Sequence, residues 1–316
     1  MRACSRGRAL AMLGAFSVAG LPAASSAQAA TPIRIGVANS DPYMVPVFAQ
    51  ELGSFRAAKL DVALSTMTNG AVIMQAVSGG ALDVGLGDIL QLTNAVHHGL
   101  PLAYFIGGAI YTNKQPTQML CVPKTSPIRT AKDLEGQTIG CINLKSLSSI
   151  SIYEWLRKNG ADPSKVKLYE INFAEMAPAL ARGQIPCALV GEPFLSAMKD
   201  EVRRLGDTFA AIAPQLYINC WYASRDWIAR NTDLARSLQR VFYQTARFVN
   251  ANRNRGDIVA IEAKFTRVDP ALFRESAHNL YATSLDPKLM QPVIDVGLRY
   301  SLIDRPVSST DIIVNL

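Results

Sequence analysis

Short apolar runs alternate with amphipathic stretches along this chain, and glycine closes most of them. Residues 138–142 form an apolar run that opens into a serine-rich turn. Beyond it, Ile150, Tyr153 and Leu156 recur at helical spacing before a stop at Gly160. A second strand (166–171), a helix (176–181) ended by Gly183 and a third strand (187–190) follow. The run finishes in the turn Gly191-Glu192-Pro193-Phe194. Alternating units of this kind predict an α/β fold with parallel sheets.

The pattern occurs twice. Ile35-Gly36-Val37-Ala38-Asn39 matches Ile139-Gly140-Cys141-Ile142-Asn143 at an offset of 104, and after a slip of one residue 75–86 lies over 178–189 at an offset of 103. Asp88 and Glu192 follow the matched strands. The first copy reads as strand 33–37, the turn Asn39-Ser40-Asp41-Pro42, helix 43–52 and strand 60–64. The polar turn Thr68-Asn69-Gly70 then leads to a helix ending at Gly79-Gly80, strand 82–86, a helix from Asp88 to 98 and strand 103–110. Two similar lobes should meet face to face. Ligands in open α/β sheets sit beyond the carboxyl ends of the strands, so a cleft between the lobes is the candidate site.

Strands 119–123 and 220–224 read as the crossovers. That division assigns 118–224 to a second lobe and makes the first discontinuous, from 31–117 and 225–316. The latter part is mostly helical, with Pro and Asp at helix entries. The arrangement is that of a hinged clamshell.

Ahead of all this, Arg2, Arg6 and Arg8 precede an apolar run (9–21) and Ala27-Gln28-Ala29. Residues 1–30 therefore read as a cleaved secretory signal peptide, and the mature protein is expected in the periplasm. The leader takes three of the 32 basic residues and none of the 25 acidic ones, so the formal charge falls from +7 to +4. No block of like charges occurs, which disfavours nucleic-acid binding. Cys121, Cys141, Cys187 and Cys220 each sit in a predicted apolar strand. Export permits disulfides and three full pairings are open, but buried free cysteines are the simpler reading. No CxxC, metal-spaced Cys/His set, nucleophile elbow or phosphate loop occurs, so neither a metal nor a cofactor is implied.

Leu134-Glu-Gly-Gln-Thr-Ile-Gly140, Ala179-Leu-Ala-Arg-Gly-Gln184, Glu192-Pro193-Phe194 and Val77-Ser-Gly-Gly-Ala-Leu-Asp-Val-Gly85 occur in order across the chain. In these motifs it resembles the solute-binding proteins of nitrate/sulfonate/taurine-type ABC importers, the SsuA/THI5-like, NMT1-like family. The resemblance implies a type II periplasmic-binding fold, two α/β lobes joined by two crossover strands, and a monomer that hands a small organic solute to an ABC permease. The solute would be a sulfonate, a carboxylate or a pyrimidine-like compound. An enzyme on the same fold, like the pyrimidine synthases of thiamine biosynthesis, is the alternative, although the cysteine-rich motif and cytosolic location of those enzymes are missing. A periplasmic sensor partner is a third reading.

Candidate ligand residues lie at helix starts and strand ends. Asn143, Ser146 and Ser148 open a helix whose dipole favours an anion, unless the serines serve only as caps. Asn39 and Ser40 occupy the matching place in the first copy, with Asn69 and Gly70 beside them. Asp88 and Glu192 would accept from a ligand amine, amide or ring N–H. For Glu192 the resemblance adds that the matching turn commonly faces ligand. Tyr43 and Trp221 are candidates for an aromatic wall. His97-His98 reads as C-terminal capping rather than a metal site.

Overall fold

The computed structural model describes residues 32–316, so the signal-peptide reading of 1–30 lies outside the described residues. In β1 (Ile33–Val37) the side chains of Ile33, Ile35 and Val37 are buried, whereas Arg34 between them turns out to meet Asp83 at 2.7 Å. The chain then runs through α1 (Met44–Glu51), α2 (Ser54–Ala57), β2 (Val62–Thr66), α3 (Gly70–Ser78), β3 (Val84–Asp88), α4 (Ile89–His97) and β4 (Leu102–Gly107). β1 pairs in parallel with both β2 and β3.

The second copy repeats this wiring. β5 (Ala109–Thr112) and β6 (Gln118–Pro123) lead to β7 (Thr138–Cys141), α5 (Leu147–Lys158), β8 (Lys167–Glu170), α6 (Phe173–Ala181) and β9 (Cys187–Gly191). α7 (Phe194–Ala197) and β10 (Val202–Gly206) follow. β7 pairs in parallel with β8 and β9, as β1 does with β2 and β3. The chain returns through β11 (Gln215–Tyr217) and β12 (Asn219–Ser224) to α8 (Arg225–Arg230), α9 (Thr232–Ala251), α10 (Gly256–Thr266), α11 (Pro270–Glu275), β13 (Leu280–Tyr281) and α12 (Pro287–Arg299).

The two large sheets have strand orders β2-β1-β3-β12-β4 and β8-β7-β9-β6-β10. They are therefore the same design used twice, as the offsets of 104 and 103 require. Neither is purely parallel: β12 runs antiparallel to β3 and β4, and β6 antiparallel to β9 and β10. The expected parallel pairing holds for β1, β2 and β3 and for β7, β8 and β9, and each sheet also admits one antiparallel strand that arrives from the other lobe.

The boundary of the second lobe also shifts. Residues 220–224 do not end that lobe: β12 is inserted between β3 and β4, pairing Trp221 with Leu86 and Ile106. The predicted strand 103–110 is in fact two. It breaks at Gly107-Gly108, where a Cβ on Gly108 would lie 2.4 Å from the Asn219 carbonyl oxygen. The Asn219 side chain accepts the Ala109 N–H at 3.0 Å, and β5 leaves to join β11 and β13 in a small third sheet.

Alternate residues of a strand face opposite ways. On β12, Trp221 faces the layer formed by α1 and α9, and it is fully buried with its ring edge-on to Phe242 (5.1 Å) and Tyr43 (6.3 Å). All four cysteines of the described residues are free and buried in strands. No helix among the described residues is long and apolar enough to cross a membrane.

Trp221→Ala should therefore act on stability alone. Losing a buried indole costs about 3–5 kcal/mol, to be read as a lower midpoint in urea unfolding.

Candidate functional site

The carboxyl ends of β1, β3, β7 and β9 converge on one cavity of about 620 Å³. From the first lobe it is lined by Asn39, Ser40 and Tyr43, with Gly70 and Asp88 beside them. Asn143, Ser146, Ser148 and Glu192 line it from the second. Nine of the eleven residues singled out from sequence thus share one space. Asn69 and Trp221 do not. Asn69 is exposed and caps α3, accepting from the Ala71 and Val72 N–H groups at 3.0 and 3.1 Å. Trp221 belongs to the core behind Tyr43.

Asp88 ends β3 and caps α4, its Oδ1 accepting from Leu90 N–H at 2.9 Å and Gln91 N–H at 3.2 Å. Enclosure in the cavity wall pushes its pKa up to about 6. The Gln91, Leu90 and Leu147 N–H groups pull the other way without overcoming the loss of water. Leu147 is the first residue of α5, so Asp88 faces the start of a helix in the opposite lobe as well as its own. Tyr43 feels both its burial and that carboxylate, and its pKa rises to about 12. Its hydroxyl packs over Gly70, where a Cβ would stand 3.1 Å from the oxygen.

The α5 entrance is tightly organised. Ser146 and Ser149 form a reciprocal capping box, and the Ser146 hydroxyl donates to the Asn143 carbonyl at 3.1 Å. Asn143 Oδ1 accepts the Lys145 N–H at 2.9 Å. Capping and cavity lining are thus combined in the same residues. Glu192, at the matching place after β9, accepts from the N–H and the hydroxyl of Ser196, each at 3.0 Å, which fixes the turn into α7. Both acidic strand ends do the same job in the two copies.

One end of the cavity was not visible in the sequence. Asp41, Glu262, His278 and Asn279 line it together with Phe273. Burial alone would raise the Asp41 pKa, but Arg253 at 3.6 Å and the Tyr281 hydroxyl outweigh it and hold Asp41 below the usual carboxylate range. Asn279 Nδ2 donates to the other carboxylate oxygen at 2.6 Å. Arg253 also stacks on the Tyr281 ring, 4.1 Å from its centroid. Glu262 is fully buried, 3.7 Å from Arg253, and neither of its oxygens has a hydrogen-bond partner. Burial and the neighbouring Asp41 charge drive its pKa upward, with Arg253 offsetting only part of this. Burial, then Arg253, push His278 the opposite way, towards the neutral imidazole, and its Nε2 is likewise unpartnered. These residues come from the turn before α1, the loop after α9, α10, α11, and the loop and strand β13 that follow it. Only Asp41 carried a local signal, as turn chemistry.

His97 and His98 are engaged outside the cavity, with Asp304 and Arg305 and with the Asn94 carbonyl. No cluster of three metal-ligating side chains occurs among the described residues.

Comparison with solved structures gives the same architecture. The periplasmic aliphatic sulphonate binding protein SsuA from Escherichia coli superposes with a TM-score of 0.73 at 19% identity, over 90% of this chain and 92% of its own. The alkanesulfonate-binding protein SsuA from Xanthomonas axonopodis pv. citri, bound to MOPS, superposes at 0.70 and 18% identity over 90% and 98%. The desulfurization enzyme DSZB shares the fold too, at 0.69 and 14% identity over 90% and 96%. A relative from Brucella abortus (strain 2308), which carries only a general description as a binding protein, is 23% identical over 253 residues, 78% of this chain and 76% of its own. The family model described as NMT1/THI5 like matches residues 41–254, and the chain belongs to that family.

Proposed function

We propose that this protein is the solute-capturing component of an ABC importer, working in the periplasm and delivering a small organic solute to its permease. The observation that carries this reading is the cavity of about 620 Å³ built jointly by the strand ends of two matched sheets. Its size suits a single small molecule. A site divided between two lobes also couples occupancy to their arrangement: a solute touching both walls favours the closed form by its differential affinity. Members of one fold family that bind solutes, in two of the solved structures above, agree with it.

The fold shared with DSZB raises the enzyme reading. Against it, none of the four cysteines of the described residues lines the cavity. Burial pushes every one of their thiols upward, Cys141 to about 11 and Cys121 to about 12, away from the reactive thiolate. Asp88 and Glu192 cap helices and Asp41 pairs with Arg253, an arrangement that supports holding a molecule over reacting with it.

A solute that binds this cavity should raise the melting temperature by mass action. At a concentration 100 times Kd the gain is about 2.7 kcal/mol, read by thermal shift and confirmed by titration calorimetry. Chromatography after prolonged incubation should return the solute unchanged; its conversion would overturn the binding reading.

The enclosed Asp88 gives a pH signature to the unliganded protein. Its folded pKa lies above the ordinary 3.8, so the folded state holds a proton that the unfolded chain gives up between pH ~4 and ~6. Stability from this group is complete below pH ~4 and is lost as pH rises through about 6. Asp88→Asn keeps a helix-capping oxygen without the titration. The stability difference, variant minus parent, should grow from pH 4 to 6 in urea unfolding and then level off. A flat difference across that range would show that Asp88 is not desolvated.

A further inference from the structure

Around the Arg253 guanidinium the charges do not balance. Two carboxyl groups reach it, Asp41 at 3.6 Å and Glu262 at 3.7 Å, and little of any of the three side chains meets solvent. The other titratable groups facing Glu262 add no cation. His278 Nδ1 lies 3.9 Å away, and burial, then Arg253, hold its imidazole towards the neutral form, while the Tyr281 hydroxyl donates to Asp41. Charges on the helices packed against α10 are engaged elsewhere: Glu51 of α1 pairs with Lys264 at 3.5 Å, Glu275 of α11 pairs with Lys199 at 3.2 Å, and Arg274 is exposed. Asp257, at the start of α10, pairs with Arg255.

Asp41 has the stronger hold on the guanidinium's charge, because Tyr281 and Asn279 also donate to it, whereas neither Glu262 oxygen has a donor. An ionised Glu262 would be a buried anion without a matched cation, and such a group keeps its proton instead. Burial and the Asp41 charge accordingly raise its pKa, against the pull of Arg253.

Asn279 carries this cluster to the crossover between the sheets. Its Nδ2 donates to Asp41 at 2.6 Å, its carbonyl accepts from Arg253, and its Oδ1 accepts the Thr117 hydroxyl at 2.8 Å. Thr117 stands just before β6, where the chain first passes to the second lobe, and its carbonyl accepts the Glu192 N–H at 2.9 Å. A continuous line of hydrogen bonds thus joins Arg253 to the turn after β9.

We propose that Asp41, Arg253 and Glu262 form a proton-operated latch: a protonated Glu262 leaves Asp41 and Arg253 matched and the line through Asn279 and Thr117 taut, and loss of that proton lets the lobes shift. When the proton passes to solvent, two carboxylates compete for one guanidinium, and Arg253 drawn towards Glu262 loosens its grip on Asp41 and the Asn279 carbonyl. The latch is a property of the lobes and stands whether or not the importer reading does.

Glu262→Gln keeps the shape of the protonated acid and cannot ionise. The folded pKa lies above the ordinary 4.5, so stability from this group is complete below pH ~4.5 and is lost as pH rises through about 8. Unfolding in urea at pH ~7 should therefore release about one proton more from the parent than from the variant, the Asp88 contribution being common to both. An infrared carbonyl band of a protonated carboxylic acid should mark the folded parent and be missing from Glu262→Gln. Lobe position is read from spin labels at Ala58→Cys and Arg182→Cys, both exposed, the four cysteines of the described residues being buried. The distance between the labels should change from pH ~6 to ~9 in the parent and stay fixed in Glu262→Gln. It should cease to follow pH in Thr117→Val, which lacks the hydroxyl, and follow it again in Thr117→Ser. Equal proton release, no band, a parent distance indifferent to pH, or a Thr117→Val distance that still follows it would overturn the latch. The measurements on the parent decide the matter even where a variant fails to fold.

Discussion

A carboxylate at the end of the third strand in each sheet, closing the first turn of the helix that follows, is the interaction on which the site depends. Backbone N–H groups at a helix start have no partner within the helix. Asp88 satisfies those of Leu90 and Gln91, and Glu192 satisfies that of Ser196. Each carboxylate thereby fixes the angle at which the chain leaves its sheet, and that angle sets one wall of the cavity. The two differ in cost. Glu192 spreads its charge over a backbone and a hydroxyl donor. Asp88 has similar donors, yet enclosure still raises its pKa to about 6. The protein keeps a destabilised carboxylate where the two lobes meet. A merely structural cap could be built from serine, as Ser224 is at the start of α8.

The cluster around Arg253 extends the same logic to the far end. Asp41 sits in the turn that carries Asn39, Ser40 and Tyr43, and it is tied through Arg253, Asn279 and Tyr281 to the loop after α9, the loop after α11 and β13. The C-terminal segment is therefore part of the first lobe's cavity wall. Buried charges are favourable only when their partners are complete. Asp41 meets that condition with an arginine and two side-chain donors. Glu262 does not, since its contact with Arg253 at 3.7 Å is long and its oxygens lack donors. The two carboxyl groups share one guanidinium, and burial beside Asp41 pushes Glu262 towards the protonated acid.

Much of this was legible in the chain. The offsets of 104 and 103 encode two sheets of identical strand order, and Gly stops with capping residues mark most helix ends. Strand–turn–helix signals are local, so the residues at Asn39, Asp88, Asn143 and Glu192 could be placed at one edge. The failures have a common cause. Which face of β12 points inward depends on what packs against it, so Trp221 could not be distinguished from a pocket aromatic without knowing that α1 and α9 cover that face. Asn69 and Gly70 are adjacent, and only the observed helix start decides which of them lines the cavity and which caps. Glu262 and His278 meet Asp41 across more than two hundred residues. No local pattern announces such a meeting, and Glu262 on α10 reads like any helical glutamate until its burial is known.

Contacts between the lobes are uneven, and the unevenness indicates how they would part. On one side Glu154 of α5 accepts from Arg299 at 2.8 Å and Tyr300 at 3.1 Å, while Arg157 of its own helix completes it. Burial opposes the charge, but these donors hold its pKa down to about 2. Separating α5 from the end of α12 would strip a nearly enclosed carboxylate of two donors. On the other side Lys199 of α7 meets Glu275 of α11 at 3.2 Å with both side chains mostly exposed. Such a pair contributes about 0–1 kcal/mol and is weakened further by salt. If the cleft widens, the cheaper break is at α7 and α11, next to Phe194 and Phe273, with the α5–α12 contact remaining near the axis. That direction of opening would expose first the end of the cavity lined by Phe273 and His278. The other end, where Asp88 faces α5, would stay the more enclosed.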